Sequence, residues 1–260
     1  MNKAQKIDSL VLILLAIIVV PIVLILHVRF LTSAFLFLGV PSIYLILRKT
    51  QNLKVIFSGV FLIGIILGFG FDFLETFNKA WLIPEEQLVL PYRIFGVAPV
   101  DELICLILWT LLMILVYEHF FERKRKENVD IKHYIFTGII PASAYLLLII
   151  FAFFFAPHFI TFRYAYLIFG TLAFLPVIFC VIKKPRLAWH IVKVAPYFIF
   201  LFLIFEFTAL YLHQWSFGGQ YIGYVDFFSF RFPIEEFIFW IFVSSTITLT
   251  DYKLFVDTQE

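Results

Sequence analysis

Apolar residues run along this chain in long, nearly unbroken stretches, and polar residues gather in the short intervals between them. A bilayer core takes about 20 mostly apolar residues per helix. Eight such stretches stand out, at roughly 8–27, 30–47, 54–77, 99–120, 134–156, 163–182, 191–212 and 232–250. The pattern predicts an all-α integral membrane protein with about eight transmembrane helices. The first stretch is too long for a cleaved leader and has no small-residue cleavage site before Pro21 and His27, so it reads as helix one.

Self-comparison sharpens this picture. A single ungapped offset of 134 residues superimposes Phe71, Asp72, Phe73 and Trp81 on Phe205, Glu206, Phe207 and Trp215. The same offset sets Pro99, Asp101 and Glu102 on Pro233, Glu235 and Glu236, and Arg29 on Arg163. Matches among Phe or Leu would be cheap in such a chain, but matches among scarce acids, prolines and tryptophans are not. The expectation is two four-helix repeats, 1–133 and 134–260. An even number of crossings inserts both the same way up, as parallel repeats about an axis along the membrane normal.

Composition agrees: 63% of the 260 residues are hydrophobic and 15% charged, against about 45–50% and about 25% in soluble chains. The mean hydropathy is +1.00. The 36 Phe, 12 Tyr and 5 Trp and a net charge of +2 exclude a disordered chain and leave no basic face for nucleic acid. Partners should therefore be apolar: membrane lipid and a lipid-soluble substrate, with no obligatory partner subunit. Cys105 and Cys180 lie in apolar runs and read as small buried hydrophobes.

Charge sets the expected orientation. Lys3, Lys6, Arg48, Lys49, Lys54, Arg123, Lys124, Arg125, Lys126, Lys132, Lys183, Lys184, Arg186, Lys193 and Lys253 fall on one side. Only Arg29, Lys79, Arg93, Arg163 and Arg231 fall on the other. By the positive-inside rule both termini are cytoplasmic. The basic run up to Lys126 reads as a topology-setting loop.

Each repeat has an acid near the end of one helix, Asp72 with Glu75 and then Glu206, and an acidic Pro motif opening the next helix. Proline at a helix start followed by carboxylates is by itself an ordinary N-terminus. Asp72 and Glu206 lie five to seven residues before the end of an apolar helix, where no cap is needed, so they should be neutral or paired and point to function. Burial and a neighbouring like charge favour a protonated carboxyl beside an ionised one, which is general acid–base equipment. Aromatic walls can hold a carbocation without trapping it, and Phe71, Phe73, Phe205, Phe207, Trp81 and Trp215 are candidates, although interfacial and lipid-facing aromatics are the ordinary alternative. The implied reaction is protonation of an alkene.

Other chemistries lack their residues. His27, His119, His133, His158, His190 and His213 form no pair at three- or four-residue spacing, so di-iron boxes and a zinc helix are missing. Gly64, Gly68 and Gly70 do not continue to a dinucleotide fingerprint, because position 73 is Phe; Gly64 and Gly68 read as small-residue helix packing. No aspartate-rich run is present for magnesium and a diphosphate. No cofactor and no metal are expected, and a free hydrocarbon is the better substrate.

Pro99–Glu102 and the stretch Phe-Pro-Ile-Glu-Glu-Phe-Ile-Phe-Trp at 232–240, each opening a helix within a tandem repeat, resemble the Pro-x-Glu-Glu motifs of the small integral-membrane lycopene cyclases. The chain is similar to the fused, single-chain form of that family over nearly its whole length, with Asp101 in place of the leading Glu of the first motif. The resemblance implies flavin-independent, non-redox closure of lycopene ends into β-ionone rings, giving γ-carotene and then β-carotene. An acid protonates C2 of the terminal alkene, the C5–C6 double bond attacks the C1 cation, and loss of the C6 proton completes the ring. Carried onto this chain, Glu102 and Glu236 lead as proton donor and acceptor, with Asp101 and Glu235 beside them. Consecutive helical residues point about 100° apart, so one carboxyl of each pair should face the cavity, and the second is favoured. Asp72, Glu206 and Glu75 are assigned to tuning or to a further proton transfer. Arg29 and Arg163 fall at helix ends, where a carboxylate or a lipid headgroup can pair with them. A carotenoid hydratase using the same cation, and a proton-coupled carrier or assembly factor, are the competing functions.

Overall fold

The computed structural model describes residues 3–48, 53–122, 129–227 and 229–257, so Lys49 and the basic run from Arg123 to Lys126 lie outside the described residues. The chain is mostly helical. Six helices are long and apolar enough to cross a membrane: α1 (Lys3–Leu26), α2 (Phe30–Leu47), α3 (Leu53–Phe77), α4 (Val100–Phe120), α5 (Ile131–Phe155) and α6 (Ala165–Lys183). A seventh crossing exists if α7 (Pro185–Val192) and α8 (Ala195–Tyr211), bent by 44° at their junction, form one broken span. The sequence pattern places a span at 191–212; the structure has α8 there, with the short α7 ahead of it and Pro196 just after the break. This is a multi-pass membrane protein.

The last helical segment, α9 (236–256), joins a π-helical stretch, an α-helix and a second π-helical stretch. It carries Glu236, Asp251 and Lys253 and is not among the six. The pattern reading of 232–250 is displaced there, because Phe232 and Pro233 belong to a hairpin. Two hairpins are present among the described residues: β1 (Arg93–Ile94) with β2 (Ala98–Pro99), and β3 (Tyr224–Phe227) with β4 (Phe230–Pro233). Each leads into an acidic motif helix. Proline ends both, since it lacks an N–H and keeps the preceding residue extended; Pro99 accordingly stands at the N-cap of α4 rather than in its first helical position.

The connections gather at two ends. At the upper end Arg29 Nη1 donates to Leu88 O, Gln87 Nε2 to Leu212 O and Gln214 Nε2 to Val28 O. At the lower end the buried Asp8 accepts from Tyr44 at 2.6 Å and Arg48 at 2.8 Å, and pairs with His119 at 2.8 Å. Also there, Lys253 bonds Glu122 at 2.9 Å and Asp257, so the one close cluster of three carboxylates among the described residues, Glu118, Glu122 and Asp257, already holds an ammonium. Lipid is as apolar as a leucine side chain, so close packing and interhelical polar links, not burial from water, hold such helices together. Gly64 shows the packing device: a Cβ there would stand 3.0 Å from Thr110 Oγ1 and 3.4 Å from Leu106 O, so glycine lets α3 and α4 approach. Gly170 does the same for α6, where a Cβ would fall 2.3 Å from the Phe239 ring of α9.

The core runs between α1, α2, α4, α8 and α9, around fully buried Phe37, Leu38, Phe198, Phe202, Phe205 and Tyr252. A second, smaller cluster, with Phe69, Phe73, Ile149 and Phe169, joins α3 to α5 and α6 near the upper end. Two contacts unite residues 134 positions apart. Leu82 and Ser216 exchange backbone hydrogen bonds of 2.8 and 2.9 Å in the upper connections, and Tyr252 Oη donates to Glu118 Oε1 at 2.6 Å near the lower end.

Candidate functional site

A cavity of about 200 Å³ lies among α3, α4, α6, α8 and α9. On α9 its wall runs from Glu236 to Asp251, a separation of fifteen positions, or roughly 20 Å at the rise of a helix. On α3 it runs from Ile63 to Glu75. The space is therefore long and narrow, parallel to the helices. A cavity of about 150 Å³ can take a benzene-sized group, so this one suits a slender apolar chain better than a bulky ligand.

Acids crowd its upper end. Asp72, Glu75, Glu102 and Glu236 all line it and all are buried. The carboxyls of Asp72 and Glu102 adjoin each other, and those of Glu206 and Glu236 do the same. The 134-residue offset relates one pair to the other. Glu206 does not line the cavity; it is wholly buried behind Glu236 and accepts from Trp215 Nε1 at 3.2 Å. A carboxylate only accepts hydrogen bonds, so two adjoining carboxyls bond to each other only when one of them carries a proton.

The partners of the two pairs differ. Tyr166 Oη donates to Glu236 Oε2 at 2.5 Å, whereas Glu102 receives a long bond, 3.4 Å, from Thr76 Oγ1. Neither oxygen of Asp72 accepts a hydrogen bond from a donor. The Trp81 indole N–H lies near both Asp72 and Glu102 yet closes no hydrogen bond. Glu75 stands near both Glu102 and Glu236 and has no acidic counterpart, because the offset sets it on Ala209.

The first carboxyl of each motif points elsewhere. Asp101 is fully buried but accepts from the backbone N–H groups of Val89, at 2.6 Å, and Leu90, at 3.0 Å. Glu235, also fully buried, accepts from the N–H of Ile222 at 2.7 Å. Neither lines the cavity. Asp101 and Glu235, expected beside Glu102 and Glu236 in the site, thus stand apart from the cavity and fasten the preceding connection to the helix start, where backbone donors would otherwise be buried without partners. The aromatics divide similarly. Phe71, Phe205, Trp81 and Trp215 line the cavity. Phe73 and Phe207 do not: Phe73 packs with Phe69, Phe77, Phe95 and Phe153, and Phe207 stacks on Phe227 and Phe230 of the second hairpin.

Among the described residues, Arg29 and Arg163 reach no carboxylate. Arg29 bonds Leu88 O and Arg163 bonds Gln220 Oε1, at 2.8 Å. Arg93 braces the upper connections by donating to Val97 O and Ile83 O.

Several lining residues carry no repeat signal. Tyr166 aligns with Thr32 and could have been noticed only as a tyrosine in the first turn of an apolar helix. Trp109 and Trp240, with ring centroids 4.4 Å apart, form the cavity's middle. Asp251 was missed because the apolar pattern ends at Thr250.

The upper end thus sets carboxyls that can exchange protons against aromatic walls, and the lower part can hold an apolar chain. Compared with protein-family models, curated proteins and solved structures, the chain shows no match.

Proposed function

We propose that this chain is a lycopene cyclase of the fused integral-membrane type, closing acyclic polyene ends into β-ionone rings. The observation that carries the reading is the convergence of two carboxyl pairs, Asp72–Glu102 and Glu206–Glu236, on one aromatic-lined cavity.

In this mechanism the Asp72–Glu102 pair protonates C2 of the terminal alkene. The cation develops at C1 between Trp81, Trp215, Phe71 and Phe205, whose π faces stabilise positive charge by about 2 kcal/mol or more where water is excluded. The C5–C6 double bond attacks C1, and Glu236, held by Tyr166, takes the C6 proton. One proton enters and one leaves, so no oxidant or reductant is consumed. Glu75, close to both Glu102 and Glu236, returns the proton from acceptor to donor for the next cycle.

The finer architecture belongs to the same proposal. The chain crosses the membrane eight times, with α7 and α8 as one broken span and α9 as the last. Repeats 1–133 and 134–260 are related by an axis along the membrane normal, and both termini are cytoplasmic. The Leu82–Ser216 and Glu118–Tyr252 contacts support the axis, because residues at equivalent positions meet each other only on it. The basic residues of the described lower end, among them Arg48, Lys54 and Lys183, support the orientation.

Expression in a lycopene-accumulating host tests the reading: the pigment should turn from red to orange-yellow, and Glu236→Gln should stop the change at an equal level of inserted protein. Unaltered lycopene from the unmutated, membrane-inserted protein refutes the cyclase, and hydroxylated acyclic ends in place of rings would make the chain a hydratase.

A further inference from the structure

Four of the five tryptophans line the cavity; the fifth, Trp189, is 68% exposed on the outside of α7. That short helix begins two residues after α6 ends at Lys183 and precedes the 17 residues of α8. A helix of that length covers about 25 Å, most of a hydrocarbon core about 30 Å thick, so α7 stands at headgroup depth. Its inner face is fixed: Ala188 and Ile191 are buried, and His190 Nε2 donates to Phe121 O at 2.9 Å. Its outer side sets Arg186, Trp189 and Lys193 in one stripe, at successive steps of three and four positions, with Lys183 just ahead of it.

Lys183, Arg186 and Lys193 are exposed, and none of them pairs with a carboxylate among the described residues. At the same end Asp8 is held by Arg48 and His119, Glu122 and Asp257 by Lys253, and Glu118 by Tyr252. The countercharge for α7 has therefore to come from outside the chain. Setting the orientation asks for positive charge, not for an aromatic ring between two cations. The first half has nothing equivalent either, since the 134-residue offset sets Arg186 on Asn52, Trp189 on Val55 and Lys193 on Gly59. Cations on both sides of an indole at headgroup depth suit a ligand with an anionic phosphate and an apolar stem. We infer that the outer face of α7 docks an anionic phospholipid, with its phosphate paired to Arg186 and Lys193 and the start of its acyl chains laid on Trp189. Because α7 packs on the stretch Ser244–Asp251 of α9, which carries the lower wall of the cavity, the docked lipid steadies that wall. The inference stands apart from the cyclase reading, since no polyene takes part in it.

The test places the full chain in vesicles of phosphatidylcholine and phosphatidylglycerol, with brominated acyl chains on one lipid or the other. The emission of Trp189 is read as the difference between each protein and its own Trp189→Phe control. Brominated phosphatidylglycerol should quench that emission as if enriched about fivefold or more over the vesicle as a whole, the fold-change that about 1 kcal/mol from a basic residue supplies. Arg186→Gln combined with Lys193→Gln, which leaves the packed face of α7 intact, should return the quenching to the bulk composition, and added salt should shrink the enrichment in the unmutated protein. Quenching by the unmutated protein's two lipids in proportion to their bulk amounts, an enrichment that survives in the double variant, or one indifferent to salt overturns the docking site. So does displacement of the lipid by soluble phosphate at matched ionic strength, which would make the face a site for a free anion.

Discussion

The two carboxyl pairs occupy equivalent positions in the sequence but are not equivalent in their surroundings. Glu236 has a phenol at 2.5 Å and, behind it, Glu206 anchored by Trp215. Glu102 has a distant threonine, and its neighbour Asp72 receives no donor. The 134-residue offset pairs these acids, and the residues around them that differ across the same offset, Tyr166 against Thr32 and Thr76 against Leu210, give the two pairs different surroundings. A site with two identical pairs would have no preferred direction for a proton; the difference between these two is what the proposed division into donor and acceptor rests on.

Removing the acid that opens α4 or α9 from its pair should have the largest effect. Glu102→Gln and Glu236→Gln should each lower ring formation by about 10²–10⁴-fold, the range of a lost general acid or base, measured as β-ring product per inserted protein in liposomes. If one substitution leaves the rate unchanged, the division of labour is wrong. A smaller loss, about tenfold or more, is expected for Tyr166→Phe, which removes a hydrogen bond to an acid. Thr76→Val, on the opposite pair, should cost less than Tyr166→Phe, because its bond is long; equal losses would erase the asymmetry. Smallest on rate should be Asp101→Ala and Glu235→Ala. These should lower thermal stability by about 1–3 kcal/mol through orphaned backbone N–H groups, read as melting of the detergent-solubilised protein, while rings still form in the folded fraction.

The sequence and the structure agree best where physics leaves few options. A bilayer demands about 20 apolar residues per crossing, so α2, α3 and α4 are readable to within a residue or two. The last helix is not: Phe232 and Pro233 are apolar enough to extend it, yet they pair in a hairpin, and the helix continues past Thr250 through two charged residues. Among the acids, the 134-residue offset relates Asp72 to Glu206 and Glu102 to Glu236, and these four make the two adjoining pairs, Asp72 with Glu102 and Glu206 with Glu236. It also picks out Asp101, Glu235, Phe73 and Phe207, because matching residues in two copies can be kept for a connection or a packing cluster as readily as for a cavity. Tyr166 and Asp251 escape for the opposite reason, having no counterpart. Their roles depend on which helix stands opposite, and that is written only in the assembled bundle.

The meeting of Glu118 with Tyr252 constrains how this chain could ever be taken apart. In the two-repeat arrangement proposed above, a dimer of one half would confront glutamate with glutamate, or tyrosine with tyrosine, at that spot, whereas the single chain sets an acid against a phenol. On that reading two copies of either half make no matching seam, and the halves, if cut at 133, should recognise each other in preference to themselves.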